Sequence, residues 1–254
     1  MANQDANRKP ALVSLSPVQS DDVPALLKIH TAAFKPDQFS NLMLLNRDEN
    51  AHQELMGKSI RRWMSDPAAK LTKALDTNGQ LVGWSCWIIK TRYEKESTPA
   101  QNSESDTRSG NAEAVRVKND PLEVQKKQEQ SAPQDLARVL GGLMYKDMTS
   151  WEDKYLKGKR YMVLQALATD PRYQRQGIAT KLVQHGLEEV DSQDLPCWIH
   201  ASPMSHNLYE KAGFEEVGRS DYDLDEWAPG GKGKNQVWGR YTFRYMIRPA
   251  KNIA

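Results

Sequence analysis

The chain has no long hydrophobic run, only two cysteines and almost no net charge. No stretch approaches the roughly 20 consecutive apolar residues of a membrane-spanning helix, and the first residues lack the apolar core of a signal peptide. Cys86 and Cys197 each lie in an apolar, strand-like run, so we expect buried thiols rather than a disulfide or a metal site. A net charge of +2 offers no basic surface for nucleic acid. We therefore expect a cytoplasmic protein without a membrane or nucleic-acid partner.

Large apolar side chains are nearly missing from residues 94–132. Such a segment cannot bury enough surface to offset the entropy lost on ordering, so we predict a disordered insertion there. The insertion also explains the low mean hydropathy of −0.74 without a second domain. The predicted organisation is a flexible N-terminus over residues 1–10 and a single domain over residues 11–250.

The remaining sequence predicts a mixed α/β domain built on one sheet, because helical and strand-like patterns alternate along the chain. The Asn78-Gly79 pair between two strand-like runs predicts a hairpin turn. The predicted helices cover about 20–34, 48–64, 134–157, 177–190 and 205–213, and the predicted strands cover 11–19, the two arms of the hairpin, 161–169, 196–202, 213–224 and 240–248.

A basic turn, DPRYQRQGIATKL at residues 170–182, joins a predicted buried strand to a predicted helix. The first amide groups of a helix have no helical partner and, with the helix dipole, attract anions. Gly177 has no Cβ, so a phosphate could approach the backbone closely. Arg172, Arg175 and Lys181 add positive charge to the same corner. From these residues alone, a phosphate site and an ordinary solvated turn are both open.

Two linked motifs resemble the GCN5-related N-acetyltransferase (GNAT) family. Residues 174–179, QRQGIA, match its Q/R-x-x-G-x-G/A signature, and residues 195–218, LPCWIHASPMSHNLYEKAGFEEVG, resemble its fifth strand and fourth helix. The resemblance is specific between Met162 and Gly218, compatible over residues 11–90 and 219–248, and absent from the polar insertion. It implies a GNAT-like α/β fold, a mixed central sheet of about seven strands flanked by helices and splayed between strands four and five.

The resemblance also implies direct acetyl transfer from acetyl-coenzyme A to the primary amine of a small molecule or peptide, by a monomer or homodimer and without a metal. The residues that it assigns to the coenzyme are Leu167, Ala168, Thr169, Gln174, Arg175, Gln176, Gly177, Ile178, Ala179, Thr180 and Ser202. Ser202 stands where many members carry an asparagine that binds the coenzyme arm. A helix N-cap is an equally good interpretation of Ser202 followed by Pro203.

Two side chains are candidates for catalysis. Tyr209 matches the family tyrosine that protonates the departing thiolate, although a tyrosine here could also simply pack under the helix end. His200 lies on the fifth predicted strand and could accept the proton of the amine, or could be a structural histidine. Asp170, Glu54 and Asp223 are further candidates for the base.

For the site that binds the amine acceptor, the sequence offers only the types of side chain present and no motif. Aromatic and acidic side chains together would suit a cationic amine, and those that the acceptor half offers are Phe34, Phe39, Trp63, Trp227, Trp238, Asp221, Asp223, Asp225 and Glu226. The polar insertion and Ser202 also leave open a different class of protein, a coenzyme-A-binding sensor or interaction module without catalytic activity.

Overall fold

The structure is a computed structural model of the chain. It describes residues 10–45, 47–48, 50–91, 135–228 and 238–251. The predicted insertion at 94–132 and nearly all of the predicted flexible N-terminus lie outside the described residues. The described ranges belong to one compact unit of the chain.

Seven strands form one mixed sheet in the order β1-β2-β3-β4-β5-β7-β6. They are β1 (Ser14–Pro17), β2 (Ala69–Leu75), β3 (Leu81–Thr91), β4 (Arg160–Thr169), β5 (Cys197–Ala201), β6 (Glu215–Asp223) and β7 (Arg240–Arg248). Neighbouring strands run antiparallel except β4 and β5, which are parallel and lie in the middle of the sheet. This arrangement confirms the predicted fold class.

Six α-helices flank the sheet. They are α1 (Val23–Phe34), α2 (Gln38–Leu44), α3 (Ala51–Ser65), α4 (Leu136–Leu156), α5 (Ile178–Ser192) and α6 (His206–Lys211). The sequence patterns predicted all of them except α2. A short 3-10 turn at Ser20–Asp22 precedes α1, so the helix begins later than its acidic start signal indicated.

The two faces of the sheet are covered by different helices. Trp84 on β3 packs with Leu26 of α1 and Ile60 of α3. Side chains alternate between the two faces along a strand, so Trp87, three residues after Trp84, points to the opposite face. There it packs with Val183 of α5. Helices α1, α3 and α4 therefore cover one face, and α5 and α6 cover the other.

Two local predictions are confirmed. Gly79 closes the β2–β3 hairpin with a φ of 77°, the left-handed conformation that glycine adopts without strain. Cys86 and Cys197 are both free and buried. Burial raises the pKa of the Cys86 thiol to about 12, so this group stays a neutral thiol that packs in the core.

Candidate active site

A gap opens between the two central parallel strands. Among the described residues, β4 and β5 are paired only at Met162 with Cys197 and at Val163 with Trp198. Beyond that point each strand continues to pair on its outer side only, β4 with β3 and β5 with β7. The backbone edges that face the gap are therefore open to an extended ligand, which could hydrogen-bond to them as an added strand does.

A β-bulge marks the same place on β4. The pairing register with β3 shifts between Cys86 and Trp87, which leaves Gln165 as the extra residue of β4. Gln165 is exposed and the next two residues are only half-buried, although β4 is the central strand of the sheet. The bulge and the gap together expose the middle of a strand that would otherwise be buried.

The residues predicted to bind the coenzyme arm lie along this strand. Leu167 is half-buried and points to the α5–α6 face, whereas Ala168 is buried on the α1–α3 face. Thr169 ends the strand, and its carbonyl oxygen accepts a hydrogen bond from the side-chain amide of Gln174 (3.2 Å). The strand and the basic turn are therefore joined directly.

Two residues of the basic turn adopt left-handed backbone conformations, Arg175 with a φ of 60° and Gly177 with a φ of 81°. Gly177 is the N-cap of α5, and the first helical hydrogen bond runs from Lys181 N to Gly177 O (3.0 Å). The amides of Ile178, Ala179 and Thr180 precede that bond and have no partner within the helix. A left-handed non-glycine residue is costly and is typical of functional loops.

Side-chain contacts hold the turn in place. The Gln176 side-chain amide donates to the carbonyl oxygen of Arg172 (3.2 Å), and the Gln176 carbonyl oxygen accepts from Ala11 N (2.9 Å). The Lys181 ammonium donates to the carbonyl oxygen of Ala11 (3.0 Å). Arg172 is paired with Asp170, whose carboxylate lies 2.7 Å from its guanidinium. Arg172 and Lys181 therefore also stabilise the turn, a role that the sequence did not indicate.

Tyr209 lies on α6 and is 5% exposed. Its ring is in edge contact with Phe214, at a centroid distance of 6.0 Å. Burial raises the pKa of Tyr209 to about 12, and the polar side chain of Ser205 opposes part of that rise. The phenol therefore stays protonated at every physiological pH and keeps the donor that a general acid requires.

Ser202 follows β5 and forms a tight turn with Ser205. Its carbonyl oxygen accepts hydrogen bonds from Ser205 N (3.1 Å) and His206 N (3.3 Å), and the two serine Oγ atoms are 3.0 Å apart. Helix α6 begins at His206, with Ser205 in the N-cap position. The N-cap interpretation of Ser202 is therefore wrong, because the turn places the helix start three residues later.

His200 points to the α4 face of the sheet, away from the α5–α6 face. Its Nε2 atom accepts a hydrogen bond from the Trp198 indole (2.7 Å) and lies 3.5 Å from the buried carboxylate of Glu152. Burial lowers the pKa of His200 to about 3, and the charge of Lys90 adds to this effect. His200 as general base stays a prediction, but its accepting nitrogen is occupied and its proton affinity is low.

Asp37 is a site candidate that the sequence patterns missed. It is 6% exposed, and its carboxylate accepts hydrogen bonds from Tyr241 OH (2.7 Å) and Ser40 N (2.7 Å). Burial, followed by the hydrogen bond to Asp37, raises the pKa of Tyr241. A proline-aspartate pair before the apolar α2 is an N-cap signal that could have located this residue.

The tyrosine that donates to this carboxylate belongs to an aromatic cluster. The Phe39 ring lies 5.5 Å from the Tyr241 ring and 5.5 Å from the Phe243 ring, and Tyr241 and Phe243 are 5.0 Å apart. Phe39 and Phe243 remain half-buried. Aromatic rings attract organic cations, so this half-buried cluster next to Asp37 is a candidate site for one.

Most of the residues that we expected to line the amine-acceptor site pack in the core or bond the backbone instead. Trp63 and Trp238 are 5% exposed and belong to core clusters. Asp225 accepts hydrogen bonds from Trp238 N and Gly239 N, and Asp223 caps the 3-10 turn at Leu224–Glu226. These two carboxylates accept hydrogen bonds from backbone groups next to β6 and β7, so they have structural roles rather than forming the acidic wall that we expected.

Comparison with known proteins identifies the domain. A protein-family model described as an acetyltransferase (GNAT) domain matches residues 155–223, which span the gap, the basic turn and α6. The chain carries a GNAT acetyltransferase domain. The predicted family is thus confirmed on residues 155–223, and the general chemistry of that domain is acetyl transfer.

Solved structures with this fold cover nearly the whole chain. A Corynebacterium glutamicum protein described as histone acetyltransferase HPA2 and related acetyltransferase is 15% identical, with 95% of this chain and 99% of that chain covered and a TM-score of 0.53. Arylalkylamine N-acetyltransferase 2 from Aedes aegypti is 12% identical, with 93% and 98% covered and a TM-score of 0.58. At these identities the likeness establishes the fold of the GNAT domain. No curated protein sequence matches the chain significantly.

The part of the chain that the structure describes holds no group of three or more histidine, cysteine, aspartate or glutamate side chains placed to bind a metal ion. None of the described helices combines the length and the apolar character that crossing a membrane requires.

Proposed function

We propose that this protein transfers an acetyl group from acetyl-coenzyme A to a primary amine, with both substrates bound at once. The observation that supports the proposal most strongly is that an open strand edge and a helix N-terminus lie next to each other within the GNAT domain. The gap between β4 and β5 runs directly into the left-handed turn that opens α5. An extended arm and a pyrophosphate are the two parts of coenzyme A that such a pair of features fits.

In the proposed complex the pyrophosphate is held by backbone amides of the turn between Gln174 and Thr180. Gly177 is exposed, and a Cβ added there would meet nothing within 4 Å, so the cradle is open to solvent. The backbone of Leu167, Ala168 and Thr169 would pair with the coenzyme arm along the open edge of β4. Ser202 offers only a hydroxyl at the place of the family asparagine, and that hydroxyl is already bonded to Ser205.

The thioester supplies an activated acetyl carbon, and the protein must manage the protons. Tyr209 is proposed to donate its phenolic proton to the departing sulfur. Its pKa of about 12 keeps the proton in place until a strong base appears beside it. A thiolate formed in the same buried region is also desolvated, which raises its own pKa and makes it a suitable acceptor.

The acceptor is proposed to be a small primary amine whose organic part is aromatic. The support is the cluster of Phe39, Tyr241 and Phe243, whose tyrosine donates a hydrogen bond to the buried carboxylate of Asp37. Aromatic faces attract a cationic amine and also pack against an aromatic ring. We therefore expect 2-phenylethylamine to have a higher kcat/KM than spermidine, glucosamine or a short peptide with a free N-terminus.

The test combines coenzyme binding with thiol release. We expect acetyl-coenzyme A to bind in isothermal titration calorimetry and to release free thiol when one of those four amines is added. Tyr209→Phe should retain the coenzyme Kd and lower kcat by about 100-fold or more, the contribution typical of a positioned general acid. Absence of coenzyme binding would refute the proposal. Binding without amine-dependent thiol release would instead support the non-catalytic sensor.

A further inference from the structure

A cavity lies between the C-terminal half of α5 and the sheet, on the side of the β2–β3 hairpin. Its volume is about 290 Å³. The floor consists of side chains from β2, β3 and β4, among them Lys70, Trp87 and Met162, and the wall consists of α5 residues between His185 and Ser192. Because drug-sized ligands occupy pockets of about 300–1,000 Å³, a cavity of this size suits a smaller organic molecule.

The cavity is separate from the proposed coenzyme site. The basic turn ends at Gly177, the N-cap of α5, whereas the α5 residues that line the cavity begin at His185. A helix rises about 1.5 Å per residue, so the cavity starts roughly 12 Å from the turn along the helix axis. Among the described residues that line it, none is assigned above to the coenzyme, the amine or proton transfer. A molecule in this cavity would therefore occupy a second site.

A buried hydrogen-bond donor at the floor of the cavity has no partner. Trp87 is 2% exposed, and its indole nitrogen Nε1 makes no hydrogen bond to any of the described residues. A Cβ built on Gly186 would lie 2.1 Å from this nitrogen, so the N–H edge of the ring faces the α5 wall of the cavity. A buried indole N–H ordinarily finds an acceptor, and leaving it without one costs free energy.

A second donor without a partner lies beside the first. Ser85 is fully buried, and its hydroxyl also finds no partner in the part of the chain that the structure describes. Ser85 and Trp87 are two residues apart on β3, so their side chains lie on the same face of the sheet. Their partners on β2 are Thr72 and Lys70, which both line the cavity. Two neighbouring unsatisfied groups at one cavity indicate that a polar atom belongs there.

The charges around the cavity favour a ligand without net charge. The Lys70 ammonium lies 2.6 Å from the Glu189 carboxylate. The Glu188 carboxylate lies 3.5 Å from the His185 ring. Two carboxylates are thus present beside one permanent cation, so the lining disfavours an anion. An ammonium ion fails for another reason, because it only donates and the indole N–H requires an acceptor. An uncharged carbonyl oxygen satisfies both conditions.

We propose that this cavity binds a small uncharged molecule in which a carbonyl oxygen is attached to a flat apolar body. The carbonyl oxygen would accept the hydrogen bond of the Trp87 indole. The apolar body would contact the ring of Trp87 and the side chain of Met162, which belong to the hydrophobic cluster under α5. Such binding needs neither acetyl-coenzyme A nor the amine, so it holds whether or not the protein transfers acetyl groups.

Benzamide is the probe, because it is planar and uncharged and carries one carbonyl oxygen. In protein labelled with nitrogen-15, the Trp87 indole resonance is assigned by its loss in Trp87→Phe. Titration with benzamide should shift that resonance, with a Kd in the millimolar range for a probe of about nine non-hydrogen atoms. Benzylamine and benzoate, which carry the same ring with a cation or an anion, should shift it little at the same concentrations.

A pair of variants at the cavity wall tests where the probe binds. Ser192→Leu places a larger apolar side chain at the wall and should abolish the shift of the Trp87 resonance. Ser192→Ala is the matched control, because it removes only the hydroxyl that bonds the Glu189 carbonyl oxygen and leaves the cavity open. Retention of the full shift in Ser192→Leu would contradict binding in this cavity.

A second pair tests the indole donor itself, with the Kd measured from the backbone amide resonance of Gly186. Trp87→Phe should raise the benzamide Kd by about 2- to 12-fold, the loss expected for one hydrogen bond between neutral groups. Trp84→Phe should leave it unchanged, because that indole donates to the Leu26 carbonyl oxygen on the other face of the sheet. If Trp87→Phe does not fold, the variants at Ser192 still decide where the probe binds.

Three results would overturn the proposal. If none of the three probes shifts the Trp87 resonance and the indole N–H shows a cross-peak to water, a water molecule alone satisfies it. If benzamide shifts the Trp238 resonance and not that of Trp87, the probe binds the aromatic cluster proposed for the amine. Equal shifts with all three probes would mean that the contact does not depend on an uncharged acceptor. Failure of coenzyme binding or thiol release would refute the proposed function alone and would leave these shifts unaffected.

Discussion

The backbone at Gly177 gives the sharpest perturbation of the proposed coenzyme site. Gly177 has a φ of 81° and a ψ of 2°, and an added Cβ would meet nothing within 4 Å. The cost of Gly177→Ala in the free protein is therefore backbone strain alone, about 1–2 kcal/mol for a left-handed residue. Gly79 has a φ of 77° with the same free space around its Cβ position, so Gly79→Ala should lower the free energy of unfolding by a similar amount.

Only the first of these changes should affect the coenzyme. A Cβ at position 177 would stand among the amides that are proposed to hold the pyrophosphate. Loss of one hydrogen bond to a charged group costs about 1.5–3 kcal/mol, which corresponds to a rise in the acetyl-coenzyme A Kd of about 10- to 150-fold. Gly177→Asn separates the two effects, because asparagine tolerates the left-handed region. It should recover much of the stability and still bind the coenzyme weakly.

Calorimetric titration gives the Kd and urea denaturation gives the free energy of unfolding for the same three variants. We expect both alanine variants to be destabilised and only the variants at Gly177 to bind weakly. Tight binding of acetyl-coenzyme A by Gly177→Ala would refute the proposed pyrophosphate site at this turn. If Gly79→Ala raised the acetyl-coenzyme A Kd equally, general destabilisation of the protein, rather than a change at the site, would explain the weaker binding.

The remaining predictions concern packing and acid stability. A Cβ at Gly186 would lie 2.1 Å from the Trp87 ring, so Gly186→Ala should lower the free energy of unfolding in urea by about 1–3 kcal/mol. Gly142, on α4, has nothing within 4 Å of its Cβ position, so Gly142→Ala should instead gain about 0.8–1 kcal/mol; a destabilised variant would contradict the packing described here. Burial lowers the pKa of His200 to about 3, so below its unfolded value of 6.5 the unfolded chain binds a proton that the folded chain does not. Each pH unit below that value should cost about 1.4 kcal/mol at this group, and His200→Gln should flatten the pH dependence of the urea-derived free energy of unfolding between pH 6 and 4.

The elements that were predictable from sequence are those with local signals. The Asn78-Gly79 hairpin, the helix over residues 134–157 and the helix start near Gly177 all follow from residue types within one turn or one helix face. The resemblance around residues 174–179 and 195–218 also located the gap between β4 and β5. These features depend on neighbours in sequence, so the sequence contains them directly.

The electrostatic details were not predictable, because they depend on distant partners. Asp37 is buried by Tyr241, which is 204 positions away, and nothing local indicates that contact. His200 has the pattern of an accessible strand residue, but Trp198 and Glu152 surround it. Arg172 and Lys181 look free in the sequence, yet in the structure Arg172 is paired with Asp170 and Lys181 donates to the Ala11 carbonyl oxygen.

Transfer of an isotopically labelled acetyl group tests the central claim most directly. The purified protein is incubated with acetyl-coenzyme A labelled in the acetyl group and with each of the four amines, and the amine products are analysed by mass spectrometry. We predict a labelled N-acetyl amine, formed fastest from 2-phenylethylamine and in equal amount to the free thiol released. Label that stays on the coenzyme with every amine, under conditions where calorimetry shows the coenzyme bound, would contradict the account.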